Sequence, residues 1–126
     1  MKVKIDTREK LHVITIHEQE LAANMTEEID EMLMPLLNTN VKNVAINMKD
    51  IHYLDKAAAH QLLNVHRQFY GKKATFVLCE MQAGVIKTLS DMLFLDQLNI
   101  TPTESEAIDL IQMEELEREF GDISSL

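Results

Sequence analysis

The sequence predicts a single α/β domain in which a mixed β-sheet of four to five strands packs against about four helices. Two observations carry this prediction. Short apolar segments alternate with longer helical patterns along the chain, and 126 residues suffice for one sizeable core without repeats or internal linkers. We expect the domain to span residues 3–120 and residues 121–126 to form a short C-terminal tail that frays.

The first elements are two strands and a helix. Residues 3–6 and 11–17 have the composition of strands joined by a polar turn. Asn24 is the expected N-cap of the helix, with Glu27 completing a variant of the capping box. Pro35 should kink or end this helix. Its apolar face comprises Met25, Ile29, Met32, Leu33, Leu36 and Leu37.

The centre of the sequence predicts a buried strand at residues 44–48, a loop, and a helix capped by Asp55. The core face of this helix should comprise Ala58, Ala59, Leu62, Leu63, Phe69 and Tyr70. Its opposite face carries no charge and comprises Ala57, His60, Gln61, Asn64 and Gln68. Charge depletion is typical of the centres of protein interfaces, so this face is either a contact surface or a surface that lacks charges by chance.

The later elements continue the alternation. Gly71 should end the central helix, residues 74–79 form a second buried strand, and residues 99–101 a short edge strand. Between these strands lies a helix with Val85, Ile86, Leu89, Met92 and Leu93 on one side. Residues 104–120 form the last helix. We expect Ala107, Ile108 and Ile111 to face inward and Glu114, Glu115, Glu117 and Glu119 to face outward.

Composition limits the class of function. The formal net charge of −9 and the pI near 4.9 argue against binding to nucleic acids or to anionic membrane surfaces, because phosphate groups require a basic surface. Cys79 is the only cysteine, so no internal disulfide can form, as is usual in a reducing compartment. No signal peptide or membrane-spanning segment is recognisable. We therefore expect a cytoplasmic protein without direct membrane insertion.

The histidines do not suggest a metal site. His60 and His66 lie six residues apart, which separates them by about 240° around a helix, so they cannot hold one ion together. His66 falls on the apolar side of the central helix and is predicted to be a hydrogen-bonded core histidine. No known metal-binding motif occurs, and we expect no metal and no cofactor.

Catalytic chemistry is not indicated either. Cys79 ends a buried strand beside Glu80, which should raise rather than lower the pKa of its thiol. Asp50 and Asp55 flank one loop, where loop hydrogen bonding and helix capping are their expected roles. No glycine-rich loop suited to phosphate binding is present. The sequence therefore predicts no catalytic residues and no enzyme.

The segment KNVAINMKDIHYLDKAAAHQLLNVHRQFYGKKATFVLCE, residues 42–80, resembles the STAS domain family, typified by bacterial anti-sigma-factor antagonists. In that family a hydrophobic strand precedes an Asp-Ser-Ser-Gly-type motif that opens a helix. A glycine-containing turn, a second buried strand and a helix ending in a Leu-Asp-type pair then follow. Residues 54–58 occupy the motif here, Gly71 the turn, residues 91–98 the late element and residues 104–111 the start of the final helix.

The motif itself departs from the family pattern. In the phosphorylatable antagonists a partner kinase modifies the second serine, which adds about −1.5 to −2 charges. Lys56 and Ala57 stand at the two serine positions and Ala58 at the glycine, so phosphorylation at the motif position is impossible. Lys56 opposes the helix dipole at a cost of about 0.3–1 kcal/mol, and either meets an acidic partner or reaches into water. Thr88 and Ser90 are the alternative hydroxyls for modification.

The resemblance implies a non-enzymatic regulatory module in bacterial signalling and transcription regulation. The implied partner is a kinase-like anti-sigma factor or a related signalling protein. The contact residues would be Asp55, Lys56, Ala57, His60, Gln61 and Asn64. One alternative is a STAS subunit of a larger assembly, either a signalling complex or a lipid-transport ATPase complex. Another is a sensor that binds a nucleotide or lipid between the motif loop and the neighbouring strands. The sequence leaves the oligomeric state open.

Overall fold

The computed structural model describes the backbone of residues 1–124 and the side chains of residues 1–121. The strands are β1 (Val3–Thr7), β2 (Leu11–Ile16), β3 (Glu20–Leu21), β4 (Asn43–Asn47), β5 (Tyr53–Leu54), β6 (Phe76–Cys79) and β7 (Asn99–Thr101). The α-helices are α1 (Thr26–Leu33), α2 (Lys56–Gly71), α3 (Ala83–Asp91) and α4 (Glu104–Ser124). Short 3₁₀ helices occupy Ala23–Met25, Met34–Asn38 and Leu95–Gln97.

Five strands form a mixed sheet in the order β1-β2-β4-β6-β7. β1 runs antiparallel to β2, and the remaining neighbours in this sheet run parallel. β3 and β5 form a separate two-stranded parallel ladder. Every residue of β4 and β6 is buried, because helices cover both faces of the parallel part of the sheet. The predicted fold class is confirmed.

The core has two layers, one on each face of the sheet. Ile14, Ile46 and Leu78 point to the layer shared with α1, α2 and α3. Their neighbours along the same strands point to the other layer, which α4 covers with Ala107 and Ile111. This alternation follows from the two-residue period of a strand. As a result α2 and α4 lie on opposite faces of one sheet.

The start of α1 differs from the prediction. Residues 23–25 already form a 3₁₀ turn, so Asn24 does not have the extended backbone that an N-cap needs, and the prediction of Asn24 as cap is wrong. Met25 precedes the helix and makes no side-chain capping bond. The Oγ1 of Thr26 instead donates to the carbonyl of Ala23 at 2.9 Å. α1 ends at Leu33, two residues before Pro35, in agreement with the prediction that this proline ends the helix. Pro35 itself lies in the following 3₁₀ helix.

Two side chains predicted to face the core lie in solvent. Tyr70 is 77% exposed in the last turn of α2, one residue past Phe69, which is the last buried position of the helix. Leu93 is 79% exposed because α3 has already ended at Asp91, so the helical pattern no longer sets its direction. Ile86 is also partly exposed, at the margin of the apolar face of α3.

Two glutamates predicted to face outward belong to a polar cluster at the amino ends of β4 and β6. Glu115 accepts hydrogen bonds from Asn43 at 2.7 Å and from Arg118 at 2.9 Å, and Glu114 accepts from the hydroxyl of Thr75 at 3.0 Å. Burial alone would raise the pKa of the Glu115 carboxyl, but these hydrogen bonds and the nearby cations lower it overall. The C-terminal half of α4 is thereby anchored to the sheet.

α4 continues to Ser124, beyond the predicted end at residue 120. It therefore includes most of the segment expected to be a frayed tail, and residues 125–126 lie outside the described residues. Within the described residues, no helix combines the length and the apolarity that crossing a membrane requires.

Candidate docking site at the start of helix α2

Asp55 fixes the start of α2. Its backbone is extended, and Oδ1 accepts a hydrogen bond from the backbone N–H of Ala58 at 2.8 Å, which confirms the predicted N-cap. The second oxygen, Oδ2, accepts from the N–H of Ala23 at 2.8 Å. Its own N–H donates to the carbonyl of Leu21 at 3.0 Å. One carboxylate therefore ties α2 to the 3₁₀ turn before α1.

The loop between β4 and α2 is held by further hydrogen bonds. The N–H of His52 donates to the carbonyl of Gln19 at 2.7 Å, and the side-chain amide of Gln82 donates to the carbonyl of Lys49 at 2.6 Å. Asp50 pairs with His17, with 2.8 Å between Oδ2 and Nδ1. Asp50 and Asp55 thus have separate partners and structural roles, as predicted. Because it is anchored on both sides, the loop presents α2 in one defined position.

The residues predicted to contact a partner fall into two groups. Lys56, Ala57, His60 and Asn64 are exposed along one side of the first turns of α2. Asp55 and Gln61 are half-buried and already bonded within the chain. The amide of Gln61 donates to the carboxylate of Asp30 and thereby links α2 to α1.

Two exposed apolar side chains extend this group. The ring of His60 packs edge-on against Phe94, with 5.1 Å between ring centroids and an interplanar angle of 76°. Leu93, beside Phe94, is 79% exposed, and Tyr53, two residues before the N-cap, is 55% exposed. We call the exposed set Tyr53, Lys56, Ala57, His60, Asn64 and Leu93 the docking surface.

Sequence reasoning missed Tyr53 and Leu93. An aromatic residue two positions before a helix cap was the available signal for Tyr53. The exposure of Leu93 had no such signal, because its helical spacing favoured the core.

Leu93 has a strained backbone. Its φ angle is +61°, a region that non-glycine residues seldom adopt. The conformation closes the end of α3: the N–H of Leu93 donates to the carbonyl of Ser90 at 3.0 Å, and that of Phe94 to the carbonyl of Leu89 at 2.9 Å. Glycine usually occupies such a position, so the large exposed side chain of Leu93 stores strain within the docking surface.

The surroundings of Cys79 disfavour a reactive thiolate. Burial, followed by the charges of Glu104 and Glu80, raises the pKa of the Cys79 thiol to about 12, so the thiol stays protonated at neutral pH. In the described part of the chain, no three His, Cys, Asp or Glu side chains come close enough together to hold a metal ion.

His66 only partly matches its predicted role as a hydrogen-bonded core histidine. It is half-buried, and its burial lowers the pKa of the imidazole, while a hydrogen bond with the backbone of Phe76 acts in the opposite direction. Its Nδ1 is buried without a hydrogen-bond partner among the described residues. His66 lines a cleft of about 940 Å³ at the amino ends of the parallel strands, at the end of the sheet opposite to the docking surface.

Comparison with known proteins gives one family and one fold. The family model described as STAS domain matches residues 2–107. A search of curated proteins finds no match to this sequence.

Several solved structures share the fold. An anti-sigma factor antagonist from Mycobacterium paratuberculosis has a TM-score of 0.76 at 8% identity, with 88% of this chain and 93% of that one covered. The anti-sigma factor antagonist SpoIIAA in its unphosphorylated form has a TM-score of 0.71 at 18% identity, with 88% of this chain and 96% of that one covered. A chain of the stressosome, described as a signal integration and transduction hub, has a TM-score of 0.65 at 20% identity, with 86% of this chain and 96% of that one covered. At these identities the likeness establishes the fold alone.

Proposed function

Because this chain belongs to the STAS domain family, we propose that it is a non-enzymatic regulatory module that docks onto a partner protein without a phosphorylation switch. The observation that carries the proposal is the exposed methyl group of Ala57 in the first turn of α2. Apart from the cation Lys56, the other members of the docking surface have uncharged side chains.

The composition of the docking surface fits an interface centre. Such centres are depleted in charge and enriched in aromatic side chains, and Tyr53 and His60 supply rings here while Leu93 supplies apolar area. The hydrogen bonds of Asp55 hold the surface in place before a partner arrives, which reduces the entropy lost on binding. Lys56 is the group suited to meeting a carboxylate of the partner.

Regulation by concentration follows from the missing hydroxyl. A phosphate on a serine at position 57 would place negative charge within the interface, where it has no counterpart. Alanine cannot carry that charge, so binding is constitutive at a given concentration of the two proteins. By family resemblance the partner is a kinase-like anti-sigma factor, and the setting is cytoplasmic signalling that controls transcription.

A subunit role in a larger assembly is the second candidate. The likeness to a stressosome chain supports it at the level of fold. A subunit that holds one fixed neighbour has no need of a covalent switch, which agrees with Ala57. Size-exclusion chromatography of the native complex separates the two candidates, because an assembly subunit elutes in a large, stoichiometric particle and a docking module in a small complex.

We expect the double substitution His60→Glu/Asn64→Glu to weaken partner binding by at least about tenfold, because it places two unpaired carboxylates in the interface. Both side chains are exposed, so the fold should tolerate the change. Isothermal titration calorimetry with the partner measures the effect. Gln61 is left unchanged because a glutamate there would repel Asp30.

The control is Ser105→Glu/Gln112→Glu, which adds the same charge on exposed positions of α4, on the other face of the sheet. Its affinity for the partner should match that of the unmodified chain. Equal binding by the His60/Asn64 variant would contradict the assignment of the docking surface.

Leu93→Gly should change stability and partner binding in opposite directions. The substitution relieves the positive φ angle and should raise the free energy of unfolding by up to about 1 kcal/mol. It also removes an exposed leucine from the docking surface, so partner affinity should fall by about threefold to tenfold. Urea unfolding and calorimetry measure the two effects. Lys73→Gly, at a φ of +58° away from this surface, should raise stability without changing affinity.

A further inference from the structure

The outer side of α4 carries an apolar stripe. Met113, Leu116 and Phe120 are 58%, 51% and 60% exposed. Their spacing of three and four residues places them along one line on the helix surface. Ala107 and Ile111, on the opposite side of α4, pack against the sheet. We call Met113, Leu116 and Phe120 the α4 stripe.

Acidic side chains flank the α4 stripe. At 100° per residue, Glu106, Asp109 and Glu117 lie within about 40° of Met113 on the helical wheel. The basic residue of α4, Arg118, turns the other way and donates hydrogen bonds to Asn43 and Thr75, both at 3.2 Å. Within the described residues of α4, the outer face therefore combines apolar and negatively charged groups with no cation.

We propose that the α4 stripe binds an amphipathic helix of a partner protein, whose apolar side chains recur every three and four residues between lysines and arginines. Exposed clusters of large apolar side chains mark interaction surfaces, and the carboxylates around this one select a basic occupant. A second copy of this chain fits poorly, because the acidic side chains that flank both α4 stripes would repel one another across the interface.

The α4 stripe is separate from the docking surface in sequence and in space. The family model ends at residue 107, so residues 113–120 lie beyond the segment that carries the family resemblance. α2 and α4 cover opposite faces of the sheet, which leaves room for two partners at once. Binding at the α4 stripe can therefore be tested independently of binding at the docking surface.

The test uses the full chain and two synthetic peptides. One peptide has leucines at three- and four-residue spacing with lysines elsewhere, and the other has the same composition in an order without that spacing. Fluorescence anisotropy should show the patterned peptide binding at least about tenfold more tightly than the reordered one. Met113→Ser/Leu116→Ser should remove that difference, whereas Ile5→Ser, an exposed apolar change on β1, should preserve it.

Two results would overturn the inference. Equal binding of both peptides to the unmodified chain would mean that net charge alone attracts them. A concentration-dependent dimer in sedimentation velocity that Met113→Ser/Leu116→Ser abolishes would assign the α4 stripe to a second copy instead. Circular dichroism of the serine variant checks that its fold is unchanged, which the exposure of both side chains leads us to expect.

Discussion

Replacing Asp55 by alanine will lower the free energy of unfolding by about 2–3 kcal/mol. The carboxylate makes two hydrogen bonds of 2.8 Å to backbone N–H groups, one inside α2 and one at Ala23. The substitution leaves both donors without their partner, and the second bond joins segments 32 residues apart. We therefore expect a larger effect than the loss of an ordinary helix cap.

Urea unfolding followed by circular dichroism measures this loss. Asp55→Asn keeps one acceptor oxygen, so its free energy of unfolding should lie between those of Asp55→Ala and the unmodified chain. Asp109→Ala, an exposed aspartate of α4, serves as the control and should change stability by less than about 0.5 kcal/mol. A loss below about 0.5 kcal/mol for Asp55→Ala would show that Asp55 does not hold α2 in place.

The features predictable from sequence were those set by near neighbours. The cap at Asp55 depends on a contact three residues away, and the buried strand β4 on a continuous apolar run. The family resemblance then supplied the order of the elements. Asn24 shows the limit of local rules, because a 3₁₀ turn placed the start of α1 later than the capping pattern indicated.

The features that sequence could not predict depend on contacts between distant segments. Gln61 lies on the uncharged face of α2 that was predicted to contact a partner, yet its side-chain amide donates to the carboxylate of Asp30 on α1. Glu115 had the pattern of a solvent-facing position, yet it bonds to Asn43, which is 72 residues away. No period or propensity encodes these pairings, since they arise only when helices pack on the sheet.

If the chain docks constitutively as proposed, Ala57→Ser should make its docking reversible by ATP. Position 57 is exposed in the first turn of α2, so a serine there fits the fold and its hydroxyl is accessible to a kinase. Phosphorylation would add about −1.5 to −2 charges at the centre of the docking surface. We expect the phosphorylated variant to bind the proposed kinase-like partner at least about tenfold more weakly than the unmodified chain does.

The most direct test measures intact mass and partner affinity together, with and without Mg-ATP, for the unmodified chain and for Ala57→Ser. For the unmodified chain we predict no added phosphate and the same affinity under both conditions. For Ala57→Ser we predict one added phosphate and release from the partner. Phosphorylation of the unmodified chain, or release of the unmodified chain from the partner by ATP, would contradict docking without a phosphorylation switch.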